Sequence, residues 1–558
     1  MQRTEWYKNA VVYQIYPFSF YDADNDGWGD IEGIISKLDY LSELGVTAIW
    51  FSPLYKSPDY DYGYDISDYR DIDPKFGSLD DFKRMVALCH EKGIRVIMDI
   101  AINHSSIEHE WFKKAIADTE SPYRNYYIIR QGRRTDKELL PPTNWDSTFT
   151  GSAWENIKGT DDFYLHLFCV EQADLNWENP DVRNEAAEIF NFWFDIGVDG
   201  FRLDVFNMFS KVYPLQDSKK RLMGTGSEFY IDGPRMHEFL RELNEKCFSK
   251  YDSYTVGESY QPHKEDAKAY VDVNNHELDT IFNFGHLDSD NVAKFIKVPF
   301  NLRKFKDGLF GPQKESFGSG WNTLVLENHD NARSNARFGI DPKKYHYEAS
   351  TMLPAITFLG FGTPFIYMGE EFGMTNVRFP SVDDCKDPVT HFIYHMFRKF
   401  HLPKSYVLKC VNYGARDMAR VPIRWDNSVN NGFNAGAKPW QDPCEPLVDV
   451  SLENDLKSEK SVFRFYQQVL KIKKTEKAAV YGNITELDHD HKKIVAYLRE
   501  LDHEGLFVCA NFSAKPTKYT LSEEVLKRNP KLILTNYDRT SLDAKLSLRP
   551  YEVLVAKF

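Results

Sequence analysis

Short apolar runs recur along the first three-quarters of the chain, and stretches of helical period separate them. A-V-V-Y-Q-I-Y, from Ala10, predicts a buried strand. Residues 31–44 predict an amphipathic helix ended by Gly45, and 46–51 the next buried strand. A helix near 79–92, ended by Gly93, precedes a third strand at 94–100. This strand–helix rhythm at this spacing predicts a parallel sheet. It breaks after His104, where residues 105–172 carry Pro141-Pro142, many aromatics and little helical period. It resumes with a helix at 181–196 and an apolar strand at 201–203. Later strands are expected at 254–257, 280–283, 323–326 and 364–367. Eight strands exceed a Rossmann half and match a closed (β/α)8 TIM barrel. Beyond Glu476, alternating segments such as K-I-V-A-Y-L, L-F-V-C-A-N-F and K-L-I-L-T predict a C-terminal antiparallel β-domain. The expected division is therefore a barrel in two parts, 1–104 and 173–476, an inserted domain at 105–172, and a β-domain at 477–558.

Composition narrows the partners. The 558 residues carry 69 basic against 83 acidic side chains, a net charge of −14. That balance argues against nucleic acid and suits a neutral small molecule. Seven cysteines are scattered without a C-x-x-C pair, so neither a disulfide framework nor a zinc site is expected. No apolar run reaches membrane length, and the first ten residues lack a signal-peptide core. The expectation is a cytoplasmic protein with reduced thiols and no membrane partner.

In barrels of this kind, chemistry gathers at the C-terminal ends of strands. Those ends carry Asp99, Asn103 and His104, then Arg202 and Asp204, then Glu258, and finally Asn328, His329 and Asp330. Arg202 and Asp204 share one face of their strand by alternation, and a cation beside a carboxylate favours its ionised form. Several acids without a Cys/His zinc set point to glycoside chemistry: an ionised acid attacks, a protonated acid serves the leaving oxygen, and a third steadies the charge. Separately, the loop D-A-D-N-D-G-W-G-D from Asp22 places oxygens at alternate positions with a Gly at the bend, as half an EF-hand does, and suits a hard cation.

The stretches D-I-A-I-N-H, G-F-R-L-D-V, T-V-G-E-S and E-N-H-D resemble the region motifs of the α-amylase superfamily, glycoside hydrolase family thirteen. S-P-D-Y-D-Y-G-Y-D-I-S-D-Y, Q-A-D-L-N-W-E-N-P, G-E-E-F-G-M-T-N-V-R-F and A-R-D-M-A-R-V-P-I-R-W-D resemble its oligo-1,6-glucosidase and yeast-type isomaltase/maltase group. The resemblance implies Asp204 as nucleophile, Glu258 as general acid/base and Asp330 as transition-state stabiliser. It implies that His104, Arg202 and His329 ring the bound glucose, that Asp61 and Tyr64 form the pocket floor, and that Arg416 closes the pocket. It also implies structural Ca²⁺ on Asp22, Asp24, Asp26, Asp30 and the Trp28 carbonyl, and no catalytic cofactor. Val205, after the nucleophile, implies a preference for α-1,6 links. Ala173, Met418, Ile423 and Asn331-Ala332 depart from the more usual residues without removing a catalytic group.

The expected activity is release of glucose from the non-reducing ends of short α-glucosides with retention. A maltase or sucrase, a transglucosidase and a sucrose isomerase share the same catalytic residues and stay open. A non-catalytic, transporter-associated scaffold is disfavoured, since it needs a membrane span and usually lacks the acids.

Overall fold

A computed structural model describes residues 3–149, 151–221 and 223–558. It divides into two compact units, one built on Trp50–His90 and Arg95–Ile281, the other on Trp6–Ile49 and Phe282–Phe558. Eight parallel strands make the barrel: β1 (Val12–Ile15), β2 (Ala48–Phe51), β3 (Arg95–Ile100), β4 (Gly200–Leu203), β5 (Tyr254–Gly257), β6 (Thr280–Ile281), β7 (Thr323–Val325) and β8 (Thr363–Tyr367). Their order is β6-β5-β4-β3-β2-β1-β8-β7, so neighbours in the sheet are neighbours in sequence. That is the sheet of a (β/α)8 barrel opened between β6 and β7. Every residue of β1, β2, β4, β5 and β8 is buried, which is why these strands read as largely apolar runs, interrupted by such site residues as Arg202.

The helices follow their end signals. The helix Pro180–Ile196 begins where the Asn179 side chain accepts from the Asp181 N–H, has Pro at its first turn, and ends at Gly197 in the left-handed region (φ 112°). One expectation needs correction. The helix expected at 31–44 is two helices, Ile31–Ser36 and Leu38–Leu44, broken at Lys37. The break accompanies a cation–π contact, with the Lys37 ammonium 4.2 Å from the Tyr21 ring centroid and 4.4 Å from that of Trp425. The expected strand at 280–283 is also shorter, with only two residues in the sheet.

Between β3 and β4 the chain forms the helix Glu110–Ala117, which periodicity did not signal, and a three-stranded antiparallel sheet of Trp154–Asn156, Asp162–Leu165 and Ile129–Gln131. Trp145, Trp154, Phe163 and Leu165 pack with Val205 and Met208 in one core. After β8 a helical hairpin, Pro388–Lys399 and Lys404–Gly414, leads directly to Arg416.

The C-terminal region is a five-stranded antiparallel sheet in the order Asn483–Leu487, Ile494–Leu501, Glu504–Asn511, Val553–Lys557, Lys531–Thr535. Alternation sets its two faces. Ile494, Ala496 and Leu498 enter the domain's own core. From the other face, Tyr497 donates to the Ile356 carbonyl (3.1 Å) and Arg499 to the Leu359 carbonyl (2.7 Å), around the end of the helix Pro342–Phe358. Among the described residues, no helix is long and apolar enough to cross a membrane.

Candidate active site

Strand register assembles the first cluster. Arg202 on β4 lies directly opposite Asp99 on β3. The ladder runs one residue past the strand ends: Asp204 N–H donates to the Ile100 carbonyl (2.9 Å) and Glu258 N–H to the Leu203 carbonyl (2.9 Å). Asp204 and Glu258 therefore leave neighbouring strands at the same level. The turn into Glu258 needs glycine, because a Cβ on Gly257 would lie 2.4 Å from the Phe206 ring.

The Arg202 guanidinium joins three carboxylates. Nη1 donates to Asp99 Oδ1 (2.6 Å) and Asp204 Oδ1 (2.5 Å), and Nη2 to Glu258. Asp99 is held further by the Tyr64 hydroxyl (3.0 Å) and the Trp50 indole N–H (3.2 Å). Arg202 and Asp99 are fully buried, and Asp204 nearly so. Burial raises the Asp99 carboxyl to about 6, although Arg202 opposes the shift. Burial would lower the Arg202 pKa, but Asp99, Glu258 and Asp204 outweigh it and hold the guanidinium charged. One cation thus faces three carboxylates, an excess that favours keeping one of them protonated.

The loop between β2 and β3 carries the two residues expected at the pocket floor. Asp61 and Tyr64 are buried and joined by the Tyr64 N–H to the Asp61 carbonyl (3.2 Å). The side chain of Gln172 lies between Asp61 Oδ2 (3.3 Å) and His104 Nε2 (3.1 Å). Burial pushes the His104 imidazole down to about 4, so it is neutral at pH 7. Asp65 organises this loop: its carboxylate accepts from the Asp61 N–H (3.0 Å), the Tyr60 N–H (3.1 Å) and Ser57 Oγ (2.9 Å). Val205 sits in the left-handed region (φ 37°, ψ 38°), where β-branched residues are rare and strained. It is buried in the aromatic core of the inserted segment.

A second cluster follows β7, in the other unit. Asp330 Oδ1 accepts from Arg420 Nη2 (2.8 Å) and Arg416 Nη1 (3.3 Å), and Oδ2 lies 3.5 Å from His329 Nε2. His329 Nδ1 lies 2.8 Å from Gln14 Nε2, and the His329 ring stacks on Tyr16. Arg416 also makes a two-pronged pair with Asp387 (2.5 and 2.7 Å). Burial would raise the Asp330 pKa, but His329, Arg416, Arg420 and Lys294 hold the carboxyl well below the usual range. Lys294 is a half-buried cation whose pKa is lowered to about 8 by desolvation. Asp387, Arg420 and Lys294 lie outside the set expected from sequence. Arg420 carried a signal: it stands four residues after Arg416, a spacing that places both on one helical face.

In the acidic loop, oxygens of Asp22, Asp24 and Asp30 lie within 4.8 Å of one another. Burial and mutual repulsion raise the pKa of Asp24 and Asp30, a cost that a cation would relieve. Loop N–H groups already orient these acids: Asp22 accepts from Asn25 (2.6 Å) and Gly27 (2.8 Å), Asp30 from Ala23 (2.7 Å) and Gly33 (2.6 Å). The donor set fits a hard cation. Asp26 stands outside this triad; its carboxylate accepts from the Trp28 N–H (2.8 Å), and the Trp28 indole stacks on Trp440.

Paired acids at adjacent ends of barrel strands suit glycoside chemistry, and the chain is a glycoside hydrolase of the α-glucosidase type. The chain belongs to the α-amylase family of glycoside hydrolases: residues 14–482 match "Alpha amylase, catalytic domain" and 494–555 match "Alpha-amylase SusG C-terminal domain". It is 44% identical to an oligo-1,6-glucosidase of Parageobacillus thermoglucosidasius, over 99% of each chain. It is 40% identical to a trehalose-6-phosphate hydrolase of Bacillus subtilis, over 99% of this chain and 98% of that one. The crystal structure of the trehalulose synthase of Pseudomonas mesoacidophila superposes with a TM-score of 0.94 at 35% identity, over 100% of both chains.

Proposed function

We propose that the protein is a retaining exo-α-glucosidase that releases glucose from short α-glucosides and prefers α-1,6 links. The observation that carries this reading is the single Arg202 guanidinium joining Asp204 and Glu258 at adjacent strand ends. Carboxyl groups about 5–5.5 Å apart suit double displacement, whereas inversion needs room for a water between them. Asp204 attacks the anomeric carbon while Glu258 gives its proton to the departing oxygen. Glu258 then takes a proton from the water that releases the sugar. Asp330, kept ionised by its cations, accepts hydrogen bonds from sugar hydroxyls. Asp61, Tyr64, His104, Arg202, His329 and Arg416 bind the terminal glucose. The residue divisions 1–104, 105–172, 173–476 and 477–558 remain the domain assignment under this reading.

The linkage preference rests on Val205 and on the similarity to named oligo-1,6-glucosidases. The seven free cysteines accord with a reducing compartment, and we assign the enzyme to the cytoplasm. Ca²⁺ on Asp22, Asp24 and Asp30, with Asp26 and the Trp28 carbonyl as further candidates, would brace the loop and take no part in the chemistry. Exhaustive chelation should lower the melting temperature; an unchanged value would refute a stabilising ion there.

The experiment for substrate is a comparison of kcat/KM on isomaltose, maltose, sucrose and trehalose 6-phosphate. Isomaltose should lead, with glucose as the product. Preference for maltose or sucrose would overturn the linkage assignment. Preference for trehalose 6-phosphate would point to the activity named for the Bacillus subtilis relative, and trehalulose or isomaltulose from sucrose would indicate an isomerase.

A further inference from the structure

Away from the catalytic acids, the chain that follows β4 and β5 brings together His263, Asp232 and Asp266. We propose that these three side chains bind a first-row divalent transition ion of the Zn²⁺ type. One donor atom from each lies within 4.8 Å of the others. His263 Nδ1 is 3.2 Å from Asp232 Oδ2 and 3.2 Å from Asp266 Oδ2. In a tetrahedral zinc site with bonds of about 2.0–2.1 Å, ligand atoms stand roughly 3.3 Å apart. The two imidazole–carboxylate separations therefore already have the spacing of ligand pairs in such a site, and the carboxylate oxygens lie within 4.8 Å of each other. Two carboxylates and a neutral imidazole balance a dication, and the largely exposed ring of His263 leaves the fourth position open to water. An imidazole donor favours Zn²⁺, Co²⁺ or Ni²⁺ over the hard ions suited to the all-oxygen loop at Asp22.

The surroundings hold the ligands from behind. Asp232 is almost wholly buried on its side chain. Its Oδ1 accepts from the Tyr270 hydroxyl (2.7 Å) and Asn207 Nδ2 (3.0 Å), while Oδ2 accepts from the His263 N–H (2.7 Å). Asp266 Oδ1 lies 3.3 Å from His237 Nε2, and His237 Nδ1 lies 2.8 Å from Glu277, which Arg241 also grips (2.8 Å). Hydrogen-bonded partners of this sort fix ligand orientation in metal sites. This arrangement differs from a chance patch of surface acids, whose oxygens face water.

The site also touches the catalytic loops. The Asn207 amide that Asp232 supports clamps the backbone of Tyr260, donating to its carbonyl (3.0 Å) and accepting from its N–H (2.8 Å). Asn207 lies three residues beyond Asp204, and Tyr260 two beyond Glu258. An ion here would bear on both segments at once. The site itself stands whether or not the α-1,6 assignment is right.

The test is Co²⁺ titration of the full-length, metal-free protein, read by the visible absorption of tetrahedral Co²⁺, with Zn²⁺ as competitor. One Co²⁺ should bind, show that absorption and be displaced by Zn²⁺. His263→Ala and Asp266→Asn should each weaken binding by more than ~100-fold. Asp24→Asn, in the acidic loop, should leave it unchanged. His263 is exposed, so its variant should fold; His263→Gln provides a second, milder removal of the ligand. No tetrahedral band in the wild type, or equal affinity in His263→Ala and His263→Gln, would overturn the assignment.

Discussion

The Arg202 and Asp330 clusters solve opposite electrostatic problems. Around Arg202, one cation serves Asp99, Asp204 and Glu258, and buried Asp99 rises to about 6. Around Asp330, one carboxylate meets Arg416, Arg420, Lys294 and His329, and its pKa falls well below the usual range. A site short of positive charge can retain a proton to donate. A site rich in positive charge keeps its acid ionised at every working pH. Under the proposed mechanism, acid/base work and charge stabilisation fall to different surroundings, although both use carboxylates.

The largest effect should come from the first cluster. Asp204→Asn preserves shape and removes the nucleophile, so kcat on isomaltose should fall by at least roughly 10³-fold, with little change in melting temperature. Wild-type turnover in this variant would remove Asp204 from the mechanism. In the second cluster, Arg420→Gln takes away the guanidinium that donates to both Asp330 Oδ1 and the His329 carbonyl. Asp330 is partly exposed and keeps Arg416 and Lys294, so the loss should fall below the roughly 3–5 kcal/mol of a fully buried, broken pair. Urea unfolding should show that smaller loss and steady-state kinetics a lower kcat. A neutral outcome in both would mean that Arg416 and Lys294 suffice.

Val205→Ala sharpens the comparison at the edge of the first cluster. A methyl-sized change in a pocket is worth about 1–3 kcal/mol, and the isomaltose-to-maltose ratio of kcat/KM should move toward maltose by roughly 10–200-fold. Val205 also packs in the inserted segment's core. An unchanged ratio with lower stability would make it a packing residue only.

A further effect, on stability rather than turnover, concerns His104. Burial holds its pKa at about 4 in the fold, against about 6.5 in an unfolded chain. Between those values the unfolded state binds a proton that the folded state refuses, so stability falls as pH drops from about 6.5 toward 4. The loss from this one group is on the order of 3 kcal/mol. His104→Gln should flatten the melting temperature across that window. Asp330 behaves differently: with its folded pKa depressed, the stability it contributes is present above about 4 and is lost only in stronger acid. An equally steep acid limb in His104→Gln would place the loss on other groups.

The barrel was legible because buried parallel strands are continuous apolar runs, and because the residues that end them, Asp204, Glu258 and Asp330, are polar. Arg202 was legible from alternation alone. Asp387 and Lys294 were not, since each acquires meaning only when distant segments meet: Asp387 opens one helix of a hairpin and Arg416 follows the other. The break at Lys37 was not legible either, since the aromatic rings that its ammonium faces come from elsewhere in the chain. The acidic loop looked like a run of equivalent carboxylates in sequence, but Asp22, Asp24 and Asp30 bring oxygens within 4.8 Å of one another while Asp26 turns to the Trp28 N–H.

The stereochemistry of release tests the paired-carboxylate mechanism most directly. Proton NMR during the first minutes of isomaltose hydrolysis should show α-glucose appearing first and β-glucose only as mutarotation proceeds. Initial release of β-glucose would mean a single displacement by water, and would contradict a mechanism in which Asp204 bonds to the sugar while Glu258 serves as acid and then as base.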